Sequence, residues 1–213
     1  MIERIEELFK TIKDPKVLFL YYRTIEGYFK GKNKNYDISF KDFVKERRIT
    51  LANIEEMSSV LTKIKKEPSD YNMEKSLLED LGNMIINLIR DSNLYKKVSQ
   101  ANNPSDILNY ENLFSFAEDI AILLVLKEVS KNQIYDLLSI FKSPSINLAV
   151  RKDMDLIKPL FAINLASINK LDKETLDFFY GLANIKTEED YKLLKCFIES
   201  VYVFHSSYYG GKE

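Results

Sequence analysis

Apolar residues recur three and four positions apart along almost the whole chain, and strict apolar–polar alternation never persists beyond a few residues. That spacing lines one face of a helix and gives a strand no buried side, so it restricts the fold more than any single motif does. Glycine and proline, which end helices and build tight turns, number only 6 and 5 among 213 residues. An all-α fold is therefore expected, a helical bundle or two packed helical bundles, with 46% hydrophobic residues to fill a core. The spacing predicts helices over 3–12, 15–29, 40–47, 51–64, 70–89, 111–127, 131–141, 159–168, 173–182 and 188–206.

Start signals are clearest in the second half. Ser130 followed by Gln133 is a capping box, the hydroxyl accepting from the Gln133 N–H while the amide reaches back to the Ser130 N–H. Thr187 precedes Glu188, Glu189 and Asp190, a cap with carboxylates set against the positive end of the helix dipole. Pro159 suits a first helical position, where a missing N–H costs nothing. Leu193, Leu194, Phe197, Ile198, Val201, Phe204 and Tyr208 form the apolar face expected to be buried on the last helix. The lone Cys196 lies on that helix and reads as a small buried hydrophobe.

Polar, proline-containing Val98 to Asp106 is the expected linker between an N-terminal helical region, 1–98, and a second bundle, 106–213. A faint likeness of Thr50–Met57 to Ser130–Leu137 hints that the first region is a degenerate second bundle. Charge is nearly balanced, 31 basic against 32 acidic residues, which argues against a surface that grips nucleic acid everywhere. The distribution is uneven, however. The segment from Lys30 to Arg48 carries a basic surplus that includes Lys45, Arg47 and Arg48, the best-placed phosphate contacts of the first half. The amino end alternates acidic and basic residues where an export signal would be apolar, and no apolar run approaches a membrane span, so a soluble cytoplasmic protein is expected.

Catalytic constellations are missing. One His and one Cys cannot build a three-His or Cys-His zinc site within one subunit, and no glycine-rich loop precedes a Lys-Ser or Lys-Thr helix start. Helical ribonucleases of the HEPN class place an Arg shortly before a His on one helix. Here the nearest basic residue upstream of His205 is Lys195, and that helix has no Arg. No catalytic residue, metal or cofactor is expected, and His205 reads as a structural or interface residue.

Three segments in fixed order carry a resemblance. These are Ser130-Lys131-Asn132-Gln133-Ile134-Tyr135, then Leu156-Ile157-Lys158-Pro159-Leu160-Phe161-Ala162, then the last helix from Phe197 through His205 to Tyr208-Tyr209-Gly210-Gly211-Lys212. Together, from about Asn109 onward, they resemble the small helical subunit of type III-A CRISPR effector complexes, the Csm small subunit. The resemblance implies a non-catalytic subunit that lines the channel of an RNA-guided antiviral defence complex and touches the guide and target RNA backbone without reading bases. Its implied partners are the large polymerase-like subunit, the backbone subunits, further copies of itself, and both RNAs. The implied RNA-binding residues of the matched half are Lys131, Lys142, Arg151, Lys152, Lys158 and Lys212. The chain departs from the family pattern at Tyr135, where Arg is usual, and at Ser206, where a basic residue is usual.

Two other readings stand beside this one. An all-helical protein–protein adaptor that does not bind RNA fits the acidic balance of the second half, where 12 basic residues face 16 acidic ones from Asp106 onward. A helical nuclease would have to centre on His205.

Overall fold

A computed structural model describes residues 2–29, 71–101, 107–142 and 151–209. Every regular element among them is a helix, as the spacing requires. The segments 40–47 and 51–64 read as helical from sequence lie outside the described residues. The chain divides into two compact units at Leu88/Ile89.

The first unit holds α1 (Ile2–Thr11), α2 (Pro15–Phe29) and most of α3 (Tyr71–Asp91). Each helix buries one stripe: Ile5 and Phe9 on α1, Leu18, Phe19, Tyr21 and Ile25 on α2, and Leu77, Leu81 and Ile85 on α3. Asp14 opens α2 by accepting from the Lys16 N–H at 2.9 Å through its side chain.

The second unit continues with α4 (Asn93–Gln100), α5 (Leu113–Leu126), α6 (Lys131–Ser139) with a 3-10 turn at Ile140–Lys142, α7 (Arg151–Ala166), α8 (Lys173–Leu182) and α9 (Glu188–Tyr209). Helix α5 is apolar nearly all round and is the buried centre, with Phe116, Ala117 and Ile120 through Leu124 all within 1% of complete burial. The long α9 lies along α5 and α6, while α8 packs on α4 and α7. Aromatic rings join these layers. Phe178 stacks on Tyr95 at 4.7 Å and meets Phe116 edge-on, and Phe116 meets Phe197 of α9. A second run links Phe179, Phe161, Phe141 and Tyr191.

Both predicted caps are present. Ser130 Oγ accepts from the Gln133 N–H at 3.3 Å while Gln133 Oε1 accepts from the Ser130 N–H at 2.9 Å. At α9, Thr187 Oγ1 accepts from the Asp190 N–H, and Asp190 returns the bond to the N–H groups of Lys186 and Thr187. Helix α4 falls between the helix predicted over 70–89 and the expected linker, and its last residues, from Val98, overlap that linker. Ser92 separates the two helices by accepting from the Tyr95 N–H at 3.2 Å, and Val98 is buried.

Pro159 does not start a helix. It sits inside α7, which begins at Arg151. The ring removes the N–H that would bond to Asp155, but both residues are exposed, so water can take the freed carbonyl and the helix continues. Replacing Pro159 with Ala restores that bond and removes the ring clash. Unfolding in urea is expected to show a gain of about 1–3 kcal/mol, bounded by the intrinsic helix penalty of proline. An unchanged midpoint would mean that the surrounding packing already absorbs the ring. Three burial expectations also shift, Tyr208 being half-buried. Cys196 is half-buried, and Phe204 is only half-buried while its neighbour His205 is completely enclosed.

Candidate nucleic-acid interface

Helix α6 turns Ile134, Leu137 and Leu138 into the core. Its opposite side presents Lys131 in the first turn and, one turn on, Tyr135, which is 45% exposed. The 3-10 turn that tightens the end of α6 brings Lys142 back over this side, its Nζ 5.2 Å from the centre of the Tyr135 ring. Because α9 packs along α6, Tyr202 reaches the same place, with ring centroids 5.8 Å apart and planes inclined at 57°. The result is a surface pair of tyrosines with a lysine over one of them. At an exposed site such a cation–π contact is worth only about 0.5–1 kcal/mol, so Lys142 is held loosely. Asp136 follows Tyr135 in sequence and Glu199 lies one turn before Tyr202.

Several other polar groups of this unit tie its helices together. Asp172 caps α8 through the Thr175 N–H and receives Arg90 at 2.6 Å and Lys127 at 2.7 Å, so one carboxylate joins the ends of α3, α5 and α8. Burial alone would raise the Asp172 carboxyl, but the hydrogen bonds from Arg90, Lys127 and Thr175 outweigh it and hold the group well below the usual carboxylate range. Tyr95 is buried beside Arg90, and that burial pushes its phenol up to about 12. Arg90, Lys96 and Lys173 face Asp91, Glu174 and Asp177 around a cleft of about 490 Å³, so cations and carboxylates balance there.

His205 is fully buried, and its Nε2 lies 3.0 Å from the Val129 carbonyl. A carbonyl only accepts, so Nε2 carries the proton. Burial lowers the imidazole to about 4, against the raising influence of that bond, and the ring is neutral near pH 7. The Val129 carbonyl is placed by the end of α5, where Glu128 adopts a positive φ of 55°. The Glu128 and Val129 N–H groups turn back to Val125 and Leu124 in a Schellman-type stop. A last-turn bond, from the Tyr208 hydroxyl to Glu118, ties α9 to α5 beside it. His205 is thus enclosed in the core, where its contact with the Val129 carbonyl joins α9 to the end of α5.

Of the residues expected to meet RNA, Lys142 lies over the Tyr135 ring and Lys131 sits one helical turn before Tyr135 on α6. Lys158 is exposed on α7, between Leu156 and Pro159 in sequence. Arg151 and Lys152 lie in the first turn of α7, with side chains outside the described set. Lys45, Arg47, Arg48 and Lys212 lie outside the described residues. Sequence reading missed the tyrosine pair, because Tyr135 and Tyr202 meet only through the packing of α6 on α9. Among the described residues no group of three or more His, Cys, Asp or Glu could hold a metal ion, and no helix is long and apolar enough to cross a membrane. Compared with protein-family models, curated proteins and solved structures, the chain matches none.

Proposed function

We propose that this chain is a non-catalytic subunit of a cytoplasmic ribonucleoprotein assembly, contacting RNA weakly and without sequence preference. The type III CRISPR effector complex is the assembly its sequence resemblance indicates. The observation that carries the reading is the set of exposed Tyr135 and Lys142 with half-buried Lys131 and Tyr202, cations interleaved with aromatic rings in an otherwise acidic half. The neutral, buried state of the only histidine supports a non-catalytic role.

Binding of a labelled single-stranded RNA, measured across a salt series, tests it. Affinity is expected to fall steeply with salt, and Lys131→Ala with Lys142→Ala should shallow the logarithmic slope by about one to one and a half, since each single-strand phosphate contact contributes about 0.7. An unchanged slope clears these lysines. Absence of RNA binding by both the isolated chain and the co-expressed effector subunits sinks the reading.

One observation favours the adaptor reading instead. Leu156, Leu160 and Ile163 recur at helical spacing on α7 and are 52%, 38% and 68% exposed, a stripe that suits a protein neighbour. Co-purification with the effector subunits that survives neutralisation of Lys131 and Lys142, with no RNA retained by the wild-type complex, would establish it.

A further inference from the structure

We propose that Tyr135 and Tyr202 form a base-stacking site selective for single-stranded RNA, in which Lys142 leaves the Tyr135 ring to an incoming base and turns to the adjoining phosphate. The inference rests on the RNA-contacting reading and adds to it the strand form and the part of the nucleotide that is held.

Three features of the surface lead to it. Tyr135 leaves nearly half its surface in solvent while its helix neighbours Ile134, Leu137 and Leu138 supply the packing, so the fold itself has little use for the ring. Tyr202 meets that ring at 5.8 Å and restricts its motion, which lowers the entropy lost when a base settles against it. Lys142 Nζ, 5.2 Å from the centroid, occupies the ring face that a base would cover. An exposed lysine on a weak cation–π contact is readily exchanged for a stronger base–aromatic stack, and the freed ammonium stays within reach of the backbone.

Charge and shape choose the occupant. The half of the chain that holds the pair carries 12 basic against 16 acidic residues, so a grip made by phosphates alone is weak and stacked bases add to it. In an A-form duplex the base faces are stacked inside, and only a single strand can offer one to a tyrosine.

Three probes separate the possibilities, each titrated into the full chain: a labelled oligouridylate, a strand of equal length with abasic sites, and an A-form RNA duplex. The wild-type chain is expected to bind oligouridylate about tenfold more tightly than the abasic strand, equivalent to about 1.4 kcal/mol and within the range for one stacked base. Tyr135→Ala should remove that preference, Tyr135→Phe should keep it, and Tyr135→Leu, which preserves apolar bulk for folding, should remove it too. None should change duplex affinity more than about twofold, because the lysines remain. Equal, salt-sensitive binding of the oligouridylate and abasic strands overturns the stacking site while leaving the RNA-contacting reading in place. A Tyr135→Leu variant that weakens all three probes equally likewise overturns it. Binding to none of the probes, alone or in the assembled complex, removes both and leaves the tyrosines as a protein-docking surface.

Discussion

Phe197→Ala is expected to destabilise the second unit by about 3–5 kcal/mol, the usual cost of emptying a buried phenylalanine site. Phe197 is fully buried and meets Phe116, which in turn touches Phe178 between Tyr95 and Phe179. The cavity would therefore open where α4, α5, α8 and α9 share one set of rings. These rings interlock edge-to-face and offset, so neighbours cannot slide in to fill the space without losing their own contacts. Since small domains are stable by only about 5–15 kcal/mol, much of the protein would be unfolded at moderate temperature. Phe204→Ala is the control. Half-buried on the same helix, it should cost about 1–2 kcal/mol, less than the full transfer and cavity penalty. Urea denaturation followed by far-ultraviolet circular dichroism measures both. A Phe197→Ala loss no larger than that of Phe204→Ala would refute the aromatic hub.

The second large effect is acid sensitivity through His205. The imidazole titrates at about 4 when folded and near 6.5 when free, so between these values the unfolded chain holds the extra proton. Stability from the neutral buried ring is accordingly complete above about pH 6.5 and drains away as the pH falls toward 4. At the low end the loss is on the order of 3 kcal/mol, from about 1.4 kcal/mol per pKa unit. Asp172 acts in a different window. Its carboxyl is depressed on folding, so its contribution is present above the ordinary aspartate range and lost only at lower pH. Melting temperatures of the wild type and His205→Gln from pH 7 to pH 4.5 separate the two. The wild type should lose stability more steeply, and parallel curves would show that the histidine does not ionise on unfolding.

Fold class was legible because it depends on spacing, and spacing survives without tertiary knowledge. The Ser130–Gln133 and Thr187–Asp190 caps were legible for the same reason, being local chemistry within one turn. Pro159 misled because proline has two tolerated readings, a first turn or an exposed interior. The second depends on solvent around Asp155, which a linear reading does not reveal. The apolar stripe of α9 pointed to Phe204, yet the buried neighbour is His205, since the Val129 carbonyl at the end of α5 supplies a polar partner inside. Arg90 with Asp172 and Tyr135 with Tyr202 join residues far apart in the chain, and only the packing of whole helices brings either pair together. Ser92 did leave a legible trace. A capping serine followed by apolar Tyr95 and Val98 signals α4, although the polar stretch beyond it reads as a linker.

The final two turns of α9 have a practical consequence for anyone handling the chain. They cover polar atoms with hydrogen-bonding groups of their own, His205 over Val129 and Tyr208 over Glu118, instead of merely trailing from the bundle. Trimming before His205 would expose the Val129 carbonyl and Glu118 along α5 to water, so reporters and purification handles are safer placed away from the closing helix than spliced into it.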